Sequence, residues 1–308
     1  DGGNTGNTIF GKSAFNTITD NVSDYNVAIG ELAMGTGTVA GAVQNTSVGF
    51  RALTDLTTGN ANNAFGYDAL TNITKGRYNI GVGANALYSE TIGDGSIAIG
   101  EGAGYTQVSG SDNLGIGNIY VGFGAGYYNA TGANNTILGY HSGNRTTGAN
   151  NTYVGYYAGK GTTGADADNV GIGSSALGAI TTGDYNTVVG GSAGYKITSG
   201  GNNVAIGYEA LKNEDEHGKN TAIGTQTLFT QNAGADAYNI AVGYQAGAAI
   251  TIGVKNVVVG GLALDSSDTG QENTSIGHQS LTADTKGNRN VAVGHFSLGT
   301  QNFTGATS

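Results

Sequence analysis

Seventeen times in 308 residues the chain writes a variant of one nine-residue phrase, and every time the fifth residue is glycine. Residues 203–211 read NVAIGYEAL, 220–228 read NTAIGTQTL and 290–298 read NVAVGHFSL. Aligned on a leading Asn (Ser96 in one copy), the copies begin at residues 7 to 290, and ten of the sixteen spacings are 17 residues. A spare half-motif, NLGIG at 113–117, precedes the one 22-residue spacing. A period of this kind overrides the two-domain prior that length alone suggests. It is the mark of stacked units, each too small to bury a core alone. The reading is one repeat domain over 1–308, with repeats spanning 7–298 and short flanks.

Each column has a physical sense. Position 2 is Thr, Val or Ile in every copy but the one with Asn63, and position 4 is always apolar, as in Ile29, Val48, Phe65 and Ile206. Apolar residues two apart mark a strand with one buried face, so positions 2 and 4 are expected in the core. The glycine at position 5 points to a backbone with positive φ or one packed too closely for a Cβ. Position 8 is small, position 9 is large and apolar or Gly, and a polar loop with Thr and Gly closes the unit. A short strand, a glycine turn, a second segment and a return loop make one coil of an all-β parallel solenoid. With strands about 4.8 Å apart, seventeen coils would form a rod roughly 80 Å long. Stacked position-1 asparagines would bond from coil to coil. A helix is excluded by the apolar spacing and the density of Gly.

If positions 2 and 4 point inward, position 3 points out. That column holds Ala28, Ser47, Ala64, Ala98, Ala205, Ala222, Ala241 and Ala292, and none of its seventeen members is charged. Position 7, with Arg51, Asp68, Glu209, Gln245 and Gln279, reads as the solvent face. A small, uncharged stripe on a rod implies a partner surface, and a repeated stripe suits identical chains about an axis. On this reading lysine at Ala205 and Ala222 would break assembly and spare the coils.

The phrase Asn-(Thr/Val)-Ala-Ile-Gly-x-x-Ala resembles the head repeat of YadA-like trimeric autotransporter adhesins. The aromatic after the glycine and the TTG loop are similar to repeats of phage tail fibres. The resemblance spans most of the chain. It implies a left-handed parallel β-roll, a homotrimer, and attachment to a glycan or protein receptor on a host surface, with an extracellular location on a bacterial cell or a virion.

Totals narrow the function further. Net charge is −10 with 12 Lys and Arg scattered through the chain, which argues against nucleic acid as a partner. There is no Cys, hence no disulfide or thiolate site, and no apolar run long enough to insert into a membrane. Position 6 is aromatic or His at Phe50, Tyr67, Phe123, Tyr140, Tyr156, Tyr208, Tyr244, His278 and His295. This column is either a surface for sugars and apolar ligands or a stack that covers coil edges. His278 and His295, one coil apart, read as part of that ladder. The loops GADADN (Asp166, Asp168) and NEDEHG (Glu214, Asp215, Glu216, His217) carry clustered oxygens but no full Ca²⁺ set, and read as solvated loops. The Thr column at position 13, including Thr57, Thr74, Thr181, Thr198 and Thr251, admits an ice-binding face but is explained by turn chemistry. No catalytic constellation, metal site or cofactor is expected. The function read from the sequence is a surface-fibre head or shaft that attaches by many weak contacts. The alternatives are a passive shaft and, more remotely, an ice-binding solenoid.

Overall fold

A computed structural model describes residues 5–108 and 117–302. The half-motif at 113–117 therefore lies, except for Gly117, outside the described residues. Among the described residues the chain is all-β, with seventeen strands of three residues each, from β1 (Thr8–Phe10) to β17 (Val291–Val293). Every strand occupies positions 2 to 4 of one repeat. The chain divides into two compact units, Asp1–Asn150 and Asn151–Ser308. The first holds β1 to β8 (Thr136–Leu138) and the second holds β9 (Thr152–Val154) to β17. Within each unit successive strands pair in parallel and in register, as in Val204↔Thr221, Ala205↔Ala222 and Ile206↔Ile223. Irregular spacings do not disturb this pairing. Ile97 still faces Ile119 across the 22-residue spacing, so the additional residues leave the ladder register intact. Each unit is thus a parallel β-solenoid with a repeat of about 17 residues. Among the described residues no helix is long and apolar enough to cross a membrane.

The strand faces are opposite to the sequence expectation. Position 3 points into the coil: Ala28, Ser47, Ala64, Ala98, Ala205, Ala222 and Ala241 are fully buried within this one chain, and Ala292 is 2% exposed. These residues cannot form an inter-chain interface, because their own coil already encloses them. Positions 2 and 4 are the outward pair, and Ile206, Ile223, Phe65 and Val293 at position 4 are all exposed. Alternation fixes that positions 2 and 4 share a face but not which face is inside. Volume decides it. The interior of a 17-residue coil is narrow, and position 3 shares it with positions 8, 9 and 12.

Positions 3 and 9 divide the interior space between them. Where position 3 is Ala, Ser or Gly, position 9 is commonly Leu or Met, as in Ala64 with Leu70 and Gly81 with Leu87. Where position 3 is bulky, position 9 is commonly Gly, as in Tyr120 with Gly126, Ile137 with Gly143 and Tyr153 with Gly159. A Cβ on Gly126 would lie 2.1 Å from the Tyr120 ring, and one on Gly159 2.3 Å from the Tyr153 ring. The trade keeps the core close-packed from coil to coil.

The invariant glycine and the leading asparagine hold successive coils in place. Gly207 has φ near +134°, and a Cβ there would sit 2.5 Å from the Gly224 carbonyl. The same approach links Gly30 to Gly49 and Gly49 to Gly66. Asn45 is buried and donates from Nδ2 to the Gly59 carbonyl of its own coil at 2.9 Å. The backbone N–H and Nδ2 of Asn62 both donate to Asn45 Oδ1, at 2.9 and 3.1 Å. This is the expected asparagine ladder, and it explains the glycine that recurs at position 15. In the polar loop the Thr57, Thr74 and Thr181 hydroxyls each donate to a carbonyl one coil on, at 3.0 Å. The Thr column thus ties successive coils to one another through its hydroxyls.

Position 12, which the sequence reading passed over, also points inward. Leu56, Ile73, Ile180, Ile197 and Ile250 fill it in some coils, and Glu90, Gln107, Glu214, Gln231 and Asp284 in others, all of them buried. Glu90 shows how a carboxylate is accommodated there. Its Oε1 accepts from the backbone N–H groups of Thr91, Ile92 and Gly93, and its Oε2 accepts from Gln107 Nε2 at 3.0 Å. Gln107 also donates to Ser96 Oγ and accepts from Asn118, which bridges the one break in the asparagine column. At Glu214 burial pushes the carboxyl up to about 7. The two loops read as solvated are therefore partly internal: Glu214 and Asp166 are both buried, and Asp166 accepts the Tyr153 hydroxyl.

Candidate functional site: an aromatic groove on the first unit

The position-6 column does form a surface ridge. Phe50, Tyr67, Phe123, Tyr140, Tyr156, Tyr208 and Tyr244 are exposed, as are His278 and His295. Three pairs of neighbours in adjacent coils stack. Phe50 lies over Tyr67 and Phe123 over Tyr140, each with centroids 5.4 Å apart, and His278 over His295 at 5.5 Å. Tyr208 and Tyr244 have no ring one coil before or after them, because Gly191, Thr225 and Gly261 occupy those places. The column thus divides into short stacked segments and isolated rings.

One stretch of the wall differs from the rest. Position 7 carries a side chain in most coils, held with positive φ; examples are Asn85, His141 and Gln226, with φ of 57°, 48° and 54°. In the coils that begin at Ser96 and Asn118 it is glycine, Gly102 and Gly124, with φ of 63° and 59°. Two missing side chains in adjacent coils leave a recess of about 120 Å³. Gly102 and Gly124 form its floor. Tyr105 and Tyr127 of position 10 make one wall, Glu101 and Phe123 of position 6 the other, and Asn85 and His141 close the ends. A Cβ on Gly102 would meet the Tyr127 ring at 2.9 Å, and one on Gly124 would meet His141 Nδ1 at 2.5 Å. A side chain at either glycine would press on the residues that line the recess.

The walls are held rigidly. Tyr88, Tyr105 and Tyr127 stack face to face at 5.0 and 4.7 Å, with their planes within 5° of parallel. His141 packs edge-on against Phe123 and Tyr140, and its Nδ1 lies 3.0 Å from Asn144 Nδ2. Burial, and then the neighbouring Tyr105 and Tyr128 hydroxyls, raise the Tyr127 phenol above its ordinary value, so it is a neutral hydrogen-bond donor. The groove therefore offers aromatic edges, a carboxylate, a carboxamide and an imidazole within one small space. That mixture suits a ligand bearing hydroxyls on an apolar frame. The volume is well below the roughly 300–1,000 Å³ of small-molecule and cofactor sites, so the occupant is one small ring or chain end.

Of the aromatic residues singled out from sequence, only Phe123 borders the groove. Tyr105, Tyr127 and the two glycines were missed, although a signal was there: EGAGYT at 101–106 returns as FGAGYY at 123–128. Those are the copies in which position 7 loses its side chain and position 10 gains a tyrosine. Comparison with known protein families and with curated proteins gives no match. The geometry alone must carry the functional argument.

Proposed function

We propose that this chain is the head or shaft of an extracellular surface fibre and attaches to a host or surface by many weak contacts, without catalysis. The groove between Tyr105, Tyr127, Glu101 and Phe123 carries this reading. It is a preformed ligand-sized recess in a wall that otherwise repeats exposed aromatic residues at every few coils. The class of ligand it suits is a neutral saccharide. Glu101 at its edge and the net charge of −10 both oppose anionic sugars. One such contact is weak, and avidity from several chains supplies strength. Binding of the full chain to arrayed glycans tests the reading. Retention of neutral saccharides supports it; retention of none would leave the passive-shaft reading, which the stacked pairs Phe50–Tyr67 and Phe123–Tyr140 favour.

The same proposal includes a homotrimer of left-handed solenoids, as the adhesin resemblance implies, with the contact moved to the outward face of positions 2 and 4. That face carries Thr, Val, Ile, Leu and Phe, one Asn and no charge. Eight or nine strands of three residues present roughly 400 Å² of this face in each unit. Light scattering on the 30.7 kDa chain is expected to give the mass of three chains. A monomer that stays monomeric at high concentration would remove the trimer from the proposal.

A further inference from the structure

The NEDEHG loop holds a second feature, in the other unit and independent of the groove. Glu214, Asp215 and His217 each offer a ligand atom, and these atoms all lie within 4.8 Å of one another. That spacing is what three donors around one cation at about 2.0–2.4 Å would show. Proximity of acidic groups is common on surfaces, but Glu214 is not on the surface. It is fully buried, and both of its carboxylate oxygens are buried without a hydrogen-bond partner. The backbone N–H groups of Asp215, His217 and Ala233 lie near it, yet none completes a bond of ordinary geometry. The buried Nδ1 of His217 likewise has no partner.

The Glu90 coil provides the internal comparison. Both glutamates stand at position 12, and each is followed 17 residues later by a buried glutamine, Gln107 or Gln231. Gln107 bonds Glu90 directly, and three backbone N–H groups complete the shell. Gln231 Nε2 has no partner, so Glu214 is not held by the glutamine as Glu90 is. Its carboxylate instead converges with Asp215 and His217. No such imidazole or second acid stands beside Glu90, where Thr91, Ile92 and Gly93 follow. Among the charged groups nearby, Lys219 is engaged by Asp236 at 2.6 Å.

We propose that Glu214, Asp215 and His217 form a binding site for one divalent transition-metal ion of the Zn²⁺ or Mn²⁺ type. Two carboxylates and an imidazole suit such ions, with solvent completing the shell on the exposed side of the loop. Ca²⁺ prefers six to eight oxygens, which the loop does not supply. The site is a clasp between the loop and the coil interior, and it neutralises a carboxylate that the fold otherwise leaves buried and unsatisfied.

Calorimetric titration of the full chain, stripped with a chelator and then exposed to ZnCl₂, MnCl₂ or CaCl₂, tests the site. The expected result is one Zn²⁺ or Mn²⁺ per chain, with Ca²⁺ at least 100-fold weaker. His217→Ala, in which only a half-exposed loop residue changes, should weaken binding at least 100-fold while leaving the circular dichroism spectrum of the metal-free protein unchanged. The stacked pair His278 and His295 is the obvious adventitious competitor, so the His278→Ala/His295→Ala variant should bind as the wild type does. Cobalt(II) should give a visible absorption band that His217→Ala abolishes. Absence of saturable Zn²⁺ and Mn²⁺ binding, or binding that survives His217→Ala and disappears with the His278/His295 variant, would overturn the proposal.

Discussion

Ala205→Lys is expected to unfold the second unit rather than to separate chains that remain folded. The Ala205 methyl is fully buried, in register between Val188 and Ala222 of the adjacent strands. A lysine there must place four methylenes and an ammonium in a space sized for one methyl. Overpacking alone costs about 1–3 kcal/mol, and a buried unpaired charge adds several more. For a unit of this size each kcal/mol moves the melting temperature by about 2–4 °C, so a loss of 10 °C or more is expected, or no cooperative transition at all. Circular dichroism melts of wild type and variant make the comparison. Tyr208→Lys, at an exposed position three residues away on the position-6 ridge, should leave the melt within a few degrees. Equal tolerance of both changes would show that position 3 does not face inward.

Gly207→Ala is expected to cost nearly as much stability as Gly207→Val, because the first added carbon already does the damage. With φ near +134° the residue sits where a side chain is strained, and its Cβ would lie 2.5 Å from both the C and the O of Gly224. Strain of this kind costs about 1–3 kcal/mol, and the steric overlap with the next coil adds to it. Gly191 is the control. It lies two coils' worth of ladder away from Gly224, in the position-6 ridge, and a Cβ there would meet nothing closer than Tyr208 at an ordinary 3.5 Å. Gly191→Ala should therefore change stability by no more than about 0.5 kcal/mol. Chemical denaturation of the three variants measures the contrast, and a Gly207→Ala protein as stable as Gly191→Ala would refute the glycine column.

Much of the fold is legible in the repeat, and the part that is not has a definite cause. Strand positions, parallel stacking, the positive φ of Gly207 and the asparagine ladder all follow from local chemistry repeated at a fixed period. The inward face does not, because a three-residue strand such as Val204–Ile206 offers one residue against two, and both sets are uncharged. Hydrophobicity favours burying Val204 and Ile206, whereas the narrow coil admits only Ala205. The partner that settles the matter is position 9, whose exchange between Leu and Gly mirrors position 3. Reading the two columns together would have identified the core. Position 7 misled in a similar way: Asp68 reads as a solvent residue but is 5% exposed, and burial raises its carboxyl despite the neighbouring Arg51.

The candidate sites were harder to read for a different reason. A consensus draws attention to what recurs, and the aromatic ridge at position 6 recurs. The groove arises where the consensus fails, at Gly102 and Gly124, and one of its walls belongs to a tyrosine column that appears in only a few coils. The Glu214 cluster is similar, since its buried carboxylate occupies an inward position that Leu56 and Ile73 fill elsewhere. In a repeat protein the irregular copies are where a specific site can form.

The most direct test of the attachment reading compares wild type, Tyr105→Ala/Tyr127→Ala and Phe50→Ala/Tyr67→Ala on a surface of immobilised neutral glycan. The groove variant is expected to lose retention at least tenfold while its circular dichroism spectrum at the assay temperature stays that of a folded chain, and the ridge variant to keep its retention. Retention that survives in the groove variant, or that falls equally in both, would contradict the assignment of binding to the groove.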